Sequence, residues 1–411
     1  SKYFAGLCGY TNAIGLDMGG TSADISLAED GALRMTDKWE VDWGHPICFP
    51  SVEVMTIGAG GGSISWLDKA GSLRNGPQSA GSVPGPACYA AGGTEATNTD
   101  ANIILGRVGT ELAGGKKKLD REAAITAMSK VGDALDLDIV QASLATLRVA
   151  NANMADAVRL ISIARGHDPR DFVLVAFGGA GPLHGADIAR ELNIPAVVIP
   201  PNPGVTSAVG CMLVDIQHDV TKMFLKEAAD VETTEIETAF KDIEIEGRER
   251  LFRDGVKEED MTFQRFIDMR YRGQWRSLAV PVPAHIETME DAVATFHEEY
   301  EKAHNFRRED FPIEIYRLTV RAIGVTPKPS FPKVTIAEGA TAKPKGTREV
   351  WFHRQTSALT TNIYDRDDLP AGLTIEGPAV IDQLDSTTVI PPNSTAYIDE
   401  WLNIQIKLGA E

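Results

Sequence analysis

The sequence predicts an α/β protein, because apolar strands alternate with amphipathic helices along much of the chain. An apolar strand at residues 13–16 is followed by a glycine turn and by a segment, 23–27, that alternates between apolar and polar residues. Farther along, an apolar strand at 172–177 leads into a helix and then into a second strand at 194–199. This βαβ unit implies a parallel sheet covered on its faces. A helix at 139–165 carries apolar residues at helical spacing and is expected in the core.

The composition indicates a globular protein of two or three domains. The chain has 411 residues, of which 43% are hydrophobic and 24% are charged, and this balance supports a sizeable buried core. The formal net charge of -18 argues against nucleic acid and against an anionic membrane as partners, because phosphate groups are bound by basic faces. No apolar run in the sequence reaches the length of a membrane span.

The cysteines bear on the cellular compartment, and the first residue bears on whether the chain was processed. The four cysteines are scattered without zinc or redox spacing, so we expect free thiols in a cytoplasmic protein. Ser1 stands where an initiator Met is expected, and no signal peptide follows it. We therefore expect that the chain has been processed upstream or is part of a longer one.

One candidate ligand site lies where the first strand ends at Asp17 and a turn of Gly19, Gly20, Thr21 and Ser22 follows. Glycines can adopt positive φ and let backbone N–H groups point at a phosphate, and the two hydroxyls add donors. The carboxylate could hold Mg²⁺ through water. An ordinary β-hairpin with a carboxylate at its edge explains the same residues. Neither the Gly-rich loop that ends in Lys-Ser/Thr nor the dinucleotide fingerprint fits the stretch.

A second glycine cluster follows a strand at Gly58, Gly60, Gly61 and Gly62. So much glycine carries a conformational cost unless something approaches the backbone closely. A ligand phosphate and another main chain are both compatible with the pattern.

Three isolated side chains have both a functional and a structural interpretation. Cys88 lies in a long Gly/Pro/Ser-rich loop and is either a nucleophile or a buried structural thiol. His45 is either a ligand or the cap of a turn. Residues 97–102 are expected to open a helix, with Thr99 or Asp100 as its cap, and this capping role suffices to explain Asp100.

A third glycine step, Gly178-Gly179-Ala180-Gly181, connects a fully apolar strand to a helix that begins at Pro182. At the carboxyl end of a parallel strand, such a step lets an adenine or a ribose lie against the backbone. His184 follows in the first turn of that helix, where it either contacts a ligand or a partner chain or is held by local packing.

The rest of the chain divides into two further regions. Residues 221–326 alternate between acidic helices and strands, and we interpret them as an α+β continuation of the core formed by residues 1–220. Composition changes at a Pro-rich segment, and residues 327–411 then carry short strands with turn signals. We expect this last region to be a small β-rich carboxyl-terminal domain behind a linker.

Taken together, the glycine motifs resemble those of the sugar-kinase, actin and heat-shock ATPase superfamily. In closer detail, motifs spread over nearly the whole chain are similar to those of the A subunit of the hydantoinase/oxoprolinase family. They lie at residues 16–22, 56–63, 76–89, 100–102, 150–155, 176–184, 377–381 and 385–388.

This resemblance implies an actin-like or sugar-kinase-like ATPase fold, in which ribonuclease-H-like domains close on ATP. It also implies ATP-dependent chemistry with Mg²⁺ or another divalent ion. N-methylhydantoinase and 5-oxoprolinase phosphorylate a cyclic amide and hydrolyse it, and we expect this amidohydrolase reaction on a small-molecule substrate. The alternative is an acetone- or acetophenone-type carboxylase subunit that activates a ketone or bicarbonate. In both cases a B-type subunit completes the reaction, so a hetero-oligomer is expected.

The resemblance also implies roles for individual residues. Asp17 is the expected catalytic residue and the expected metal-binding residue. The first and third glycine motifs are expected to bind the phosphates and the nucleoside of ATP, and the second is a candidate on the phosphate or substrate side. The expected cofactor-binding residues are Gly19, Gly20, Thr21, Ser22, Gly58, Gly60, Gly61, Gly178, Gly179, Ala180 and Gly181.

The sequence departs from the family pattern in one respect. Family A subunits carry an upstream phosphate motif of the same type, whereas this chain has a single Asp-x-Gly-Gly-Thr, at residues 17–21, which matches the second motif. We therefore expect a partial fold in which the N-terminal phosphate region is supplied by a missing segment or by another chain. We expect no ATP turnover by this chain alone. A scaffold subunit that binds nucleotide without chemistry is the alternative of a different class.

Overall fold

The computed structural model describes residues 1–36, 39–41, 45–47, 51–112 and 114–409. Two compact units are present, one formed by residues 1–209 and 331–411 and the other by residues 210–330. Of His45 only the backbone is described, so the prediction for its side chain lies outside the described residues.

The helices and strands have the following bounds. The α-helices are α1 (Lys2–Leu7), α2 (Asn98–Ile104), α3 (Arg121–Leu135), α4 (Ile139–Ile161), α5 (Gly181–Glu191), α6 (Thr206–Leu213), α7 (Thr233–Arg253) and α8 (Met289–His304). The strands are β1 (Ala13–Met18), β2 (Ala23–Glu29), β3 (Ala32–Leu33), β4 (Met35–Thr36), β5 (Trp39–Val41), β6 (His45–Ile47), β7 (Ser51–Val52), β8 (Val54–Ile57), β9 (Ser63–Leu67), β10 (Leu73–Ser79), β11 (Glu111–Leu112), β12 (Lys117–Lys118), β13 (Val173–Phe177), β14 (Ala196–Ile199), β15 (Ile216–Glu227), β16 (Met261–Tyr271), β17 (Leu278–Val282), β18 (Ile313–Gly324), β19 (Gly346–Val350), β20 (Leu359–Asp365), β21 (Thr374–Glu376), β22 (Ala379–Asp382), β23 (Thr387–Ile390), β24 (Ser394–Ile398) and β25 (Ile404–Leu408).

The main sheet of the first unit has the strand order β8-β2-β1-β13-β14 at its centre. Strand β2 is antiparallel to both of its neighbours, whereas β1, β13 and β14 are parallel to one another. Strand β8 therefore also runs parallel to β1. A five-stranded sheet in this order, with the second strand reversed, is the ribonuclease-H-like arrangement, so the predicted actin-like α/β fold is confirmed.

Both faces of this sheet are buried, as the apolar runs predicted. Along β13, Leu174 and Ala176 face a core that includes Met154 and Val158 of α4. Val173 and its neighbours on the opposite face contact a second cluster, which includes residues of α1. Helices thus cover the sheet on both sides, which explains why β13 and β14 are continuously apolar rather than alternating.

The carboxyl-terminal residues are rich in strands, as predicted, and they add to the first unit in two ways. Strands β25, β24 and β21 extend the main sheet beyond β14. Strands β19, β20, β22 and β23 form a separate four-stranded sheet. The predicted domain boundaries at residues 220 and 326 stay predictions. The boundaries between the two compact units lie at residues 209–210 and 330–331.

The second unit is an antiparallel sheet with helices packed on it. Its strand order is β15-β18-β16-β17, and its core contains Phe240 of α7, Phe296 of α8 and Ile267 of β16. Among the helices that the structure describes, none is both long enough and apolar enough to cross a membrane.

Candidate functional site

Three glycine turns follow three parallel strands of the main sheet. The turn at residues 19–22 follows β1, the glycine cluster at 58–62 follows β8, and the step at 178–181 follows β13. Because the carboxyl ends of parallel strands meet at one edge of a sheet, the three predicted motifs collect at that edge. Ligands of open α/β sheets bind at this kind of edge.

The turn between β1 and β2 has two backbone N–H groups that are available to a ligand. It is closed by a hydrogen bond from the Gly19 N–H to the Ser22 carbonyl at 3.1 Å. The N–H groups of Gly20 and Thr21 donate to no acceptor among the described residues, and both residues are exposed. A Cβ added to Gly19 or Gly20 would meet nothing within 4 Å. The turn can therefore donate two backbone hydrogen bonds to a ligand that fills the open space beside it.

The second glycine cluster lies directly behind that turn. The Gly61 N–H donates to the Gly19 carbonyl at 3.0 Å, and the Gly62 N–H donates to the Gly20 carbonyl at 2.7 Å. A Cβ on Gly60 would lie 2.5 Å from the Gly20 carbonyl carbon, so only glycine permits this approach. Of the two alternatives, a main chain is what approaches these glycines.

Gly58, at the start of the same cluster, packs against a different neighbour. A Cβ at this position would lie 2.7 Å from Pro77 Cβ. The N–H group of Gly60 is also used inside the protein, because it donates to Ser63 Oγ at 2.8 Å. The N–H groups of Gly60, Gly61 and Gly62 are thus hydrogen-bonded within the protein, and those of Gly61 and Gly62 hold the turn in place.

The third glycine step contacts Asp17 and the end of β1. Asp17 is paired in register with Phe177, and the next residue, Gly178, has φ +82°. A Cβ on Gly178 would lie 2.4 Å from the Met18 carbonyl oxygen and 2.5 Å from Asp17 Oδ1. The Ala180 N–H donates to the same Met18 carbonyl at 2.9 Å. The structure thus brings the first and third predicted motifs side by side.

The segment that follows β14 also reaches Asp17, and the sequence analysis did not single it out. The Pro203 carbonyl accepts the Gly178 N–H at 2.8 Å. The Ser207 hydroxyl donates to Asp17 Oδ2 at 2.6 Å. One sequence signal was available, because β14 is a further parallel strand whose carboxyl end must lie at the same edge.

Asp385 is a second residue that the sequence analysis did not assign. Its Oδ2 accepts the Gly204 N–H at 2.8 Å, while its Oδ1 is buried without a partner among the described residues. The neighbouring Ser386 hydroxyl donates to the Gly179 carbonyl at 3.4 Å. Gly179 itself is exposed, so one surface of the third turn is open to a ligand.

Asp17 is the predicted metal-binding carboxylate, and Asp24 lies opposite it in the antiparallel pair of β1 and β2. Among the residues that the structure describes, no group of three or more His, Cys, Asp or Glu side chains could hold a metal ion. Mg²⁺ commonly keeps several waters and is bound through one or two carboxylates together with substrate phosphates. The donor set therefore fits a hydrated Mg²⁺ that accompanies a nucleotide and does not fit a dedicated protein cage.

Cys88 has the surroundings of a structural thiol. Burial, followed by the nearby Asp100 carboxylate, raises the pKa of the Cys88 thiol well above its ordinary value. Asp100 accepts the Cys88 N–H at 2.7 Å and the Thr97 N–H at 2.9 Å, and it completes a capping box at the start of α2. A thiolate nucleophile is disfavoured in this position.

His184 is held by local packing. It is fully buried, and burial, followed by the positive charge of Arg107, lowers the pKa of His184 to about 4. Its Nδ1 lies 2.7 Å from Asn151 Oδ1. Asp187, one turn along the same helix, pairs with Arg107 at 2.9 Å. The imidazole is therefore neutral at pH 7 and lies within a buried polar cluster.

This chain is similar in sequence and in structure to several known proteins. The family model described as hydantoinase/oxoprolinase matches residues 1–220, and the model of the hydantoinase/oxoprolinase C-terminal domain matches residues 225–408. An uncharacterised protein of Methanocaldococcus jannaschii is 38% identical over 98% of this chain and 60% of its own length.

Several relatives carry named activities, and two of them are subunits of enzymes. The caprolactamase subunit alpha of Pseudomonas jessenii is 33% identical over 98% of this chain and 60% of its own length. The acetophenone carboxylase gamma subunit of Aromatoleum aromaticum is 32% identical over 97% of this chain and 57% of its own length. The crystal structure of the ATP-dependent caprolactamase from Pseudomonas jessenii matches 100% of this chain and 61% of that chain, with a TM-score of 0.85 and 32% identity. This chain thus spans about three fifths of the length of these relatives.

Proposed function

Because the chain belongs to the hydantoinase/oxoprolinase family, we propose that it forms part of an A-type subunit of an ATP-dependent cyclic amidohydrolase. In this proposal the subunit binds ATP and phosphorylates the amide oxygen of a lactam or hydantoin-type ring. The observation that carries the proposal is the open turn at Gly20 and Thr21, whose free N–H groups lie at the same sheet edge as Asp17 and Gly179.

The residues at this edge suit a nucleoside triphosphate with a divalent ion. When bound, ATP supplies the activated phosphoryl group and Mg²⁺ offsets its charge. In our proposal, Gly20 and Thr21 donate to phosphate oxygens through their backbone N–H groups, and Thr21 and Ser22 donate through their hydroxyls. Gly19 borders the phosphates, while its own N–H closes the turn by donating to the Ser22 carbonyl. Asp17 orients the hydrated cation, because its carboxylate lies at the end of β1 next to the turn.

The nucleoside is assigned to the third turn. The exposed main chain of Gly179 offers a flat surface, while Gly178, Ala180 and Gly181 fix that surface against β1. Gly60 and Gly61 contribute indirectly, because they hold the phosphate turn from behind, whereas Gly58 packs against Pro77. This assignment divides the predicted cofactor residues into those that contact ATP and those that support the contact.

Phosphorylation answers a chemical problem of amide hydrolysis. The amide carbonyl is a poor electrophile, because the nitrogen lone pair is delocalised onto the oxygen. A phosphoryl group on that oxygen makes the ring carbon attackable by water. The ring C–N bond then breaks as a proton is transferred to the nitrogen, and the resulting acyl phosphate is hydrolysed to a carboxylate and inorganic phosphate. The chain's own contribution is to position the reactants and to neutralise charge.

Ketone or bicarbonate activation is the second candidate reaction. It is supported by the acetophenone carboxylase gamma subunit, whose 32% identity to this chain is nearly the same as that of the caprolactamase subunit. The same phosphate and nucleoside turns would serve an enol phosphate or a carboxyphosphate. The two reactions differ in substrate and product, so product analysis separates them.

The experiment uses the full-length subunit, purified with the chains that accompany it. It is incubated with ATP and Mg²⁺ and with caprolactam, 5-oxoproline or hydantoin, or with acetone or acetophenone plus labelled bicarbonate. We expect nucleotide consumption together with formation of a ring-opened amino acid. Label incorporated into a ketone product would support the carboxylase instead. Nucleotide binding without turnover on any of these substrates would support the scaffold alternative.

A further inference from the structure

The segment at residues 203–207 connects separate parts of the candidate site. Its Pro203 carbonyl accepts the N–H of Gly178, and its Gly204 N–H donates to Asp385 Oδ2. A Cβ on Gly204 would lie 2.7 Å from that carboxylate oxygen, so only glycine allows the contact. The segment therefore adds a fourth turn to the three glycine turns at this sheet edge.

Ser207 extends this segment to Asp17. It lies in the first turn of α6, and its hydroxyl donates to Asp17 Oδ2 at 2.6 Å across 190 positions of sequence. The neighbouring Thr206 hydroxyl bonds back to the Asn202 carbonyl at 3.0 Å, which anchors the start of the helix. The Ser207 hydroxyl is thus presented by a backbone that is held at the residues before it, at 203, 204 and 206.

We propose that Ser207 is a positioning residue that fixes the Asp17 carboxylate for a divalent cation; the inference rests on the proposed function. The terminal torsion of an Asp side chain is broad, so an isolated carboxylate samples many orientations. An ionised carboxylate has about four lone-pair sites. The Ser207 hydroxyl occupies one of them on Oδ2, while Oδ1 lies against Gly178. These two contacts restrict the orientation of the carboxylate, and in our proposal its other lone-pair sites face the water shell of the cation.

Removal of the hydroxyl should weaken the cation site and leave the nucleotide turns intact. In the Ser207→Ala variant we expect the half-saturating Mg²⁺ concentration to rise by about 3- to 10-fold and kcat to fall about 10-fold. We expect ATP affinity measured in EDTA to stay unchanged, because the turn at Gly20 and the step at Gly179 are not touched. Ser207→Thr keeps the hydroxyl and should restore most of both values.

The experiment compares these two variants with Ser129→Ala, a matched removal of a helical serine on α3, in the full-length subunit with its accompanying chains. Mn²⁺ affinity is measured by electron paramagnetic resonance with a non-hydrolysable ATP analogue, so this readout does not depend on turnover. Steady-state kinetics then follow Mg²⁺ dependence. Weaker Mn²⁺ binding in Ser207→Ala, with recovery in Ser207→Thr and wild-type values in Ser129→Ala, supports the proposal.

Two results separate failure of this inference from failure of the proposed function. If the wild-type protein turns over ATP and Ser207→Ala binds Mn²⁺ as tightly as the wild type, the inference on Ser207 is wrong while the proposed function stands. If the wild-type protein binds neither nucleotide nor Mn²⁺, the proposed function fails and the inference fails with it. An equal loss in Ser207→Ala and Ser207→Thr would show a structural role and would also overturn the proposal.

Discussion

Asp17 lies where residues distant in sequence converge. Ser207 donates to one of its oxygens, and Gly178 lies against the other. Its position at the end of β1, beside a turn with free N–H groups, is the reason to assign it the cation and the reacting phosphoryl group.

Replacement of Asp17 by Ala should therefore separate chemistry from binding. We expect the ATP-dependent reaction of the full-length complex to fall by about a hundredfold or more, a magnitude typical of the loss of a positioned catalytic group. ATP affinity measured without metal should change little, because the phosphate turn and the nucleoside step remain. Coupled assays of nucleotide release and isothermal titration measure the two quantities. Asp133→Ala, at an exposed carboxylate on α3, is the matched control, and unchanged turnover in Asp17→Ala would remove Asp17 from the mechanism.

His184 yields a prediction about pH, because its pKa is lowered from 6.5 to about 4 by burial and by Arg107. Between these two values the unfolded chain binds a proton that the folded chain does not, so stability falls as the pH drops from 6.5 toward 4. The full contribution of a shift of this size is about 3 kcal/mol. It is present above pH 6.5 and is lost at lower pH.

The His184→Gln variant should show a shallower loss of stability on acidification. Urea denaturation at pH 7 and at pH 5 gives the free energy of unfolding at each pH for both proteins. We expect the difference between the two pH values to shrink by roughly 1–2 kcal/mol in the variant. A wild-type pH dependence in His184→Gln would show that the imidazole is not held neutral.

At the scale of elements, the candidate site is a set of turns packed against one another at the carboxyl ends of parallel strands. The turn after β1 is held from behind by the cluster after β8 and from the side by the step after β13. The glycines that make these contacts therefore have different roles. Gly60 and Gly178 admit a neighbouring main chain, whereas Gly19 and Gly20 border open space.

A pair of glycine variants tests the contact between the turns. Gly178 and Gly166 both have positive φ, +82° and +88°, but only Gly178 has neighbours within 4 Å of an added Cβ. Gly166→Ala should cost about 1–2 kcal/mol of folding free energy from backbone strain alone. Gly178→Ala should cost more, because its Cβ would also collide with Met18 and Asp17. Equal losses for the two variants, measured by chemical denaturation, would show that the turns are not tightly packed.

Elements whose signal is local were predictable from the sequence. The β1 strand, the βαβ unit from β13 to β14 and the helical face of α4 follow from apolar periodicity, and the structure contains all three. Family membership was predictable because several long motifs occur in the same order. The comparisons confirm it.

Contacts between distant residues were not predictable in the same way. The hydrogen bond from Ser207 to Asp17 spans 190 positions, and that from Gly204 to Asp385 spans 181. Such pairs leave no local periodicity, because the two partners lie far apart in the sequence. For the same reason, the glycine pattern at 58–62 could not show whether a ligand or a main chain lies beside it.

At the scale of the whole molecule, the chain combines two compact units and spans about three fifths of the length of the relatives compared. Carboxyl-terminal strands extend the main sheet, and Asp385 reaches the candidate site from the loop between β22 and β23. We therefore treat ATP use, the substrate and the partners as properties of the complete assembly.

The subunit composition of the native protein can also be predicted. Two of the relatives are named as subunits, so we expect the full-length protein to purify as a hetero-oligomer with a B-type subunit. Native mass spectrometry of the complex, followed by identification of the accompanying chains, measures this directly. A full-length protein that is active without any second chain would contradict the expected partnership.

The central claim is that a nucleotide lies across the turns at the ends of β1 and β13. The most direct measurement is a crystal structure of the full-length protein with a non-hydrolysable ATP analogue and Mg²⁺. We predict phosphate oxygens within hydrogen-bond distance of the Gly20 and Thr21 N–H groups and the nucleoside against Gly179. A nucleotide bound elsewhere on the protein, with both turns free of ligand, would contradict the account.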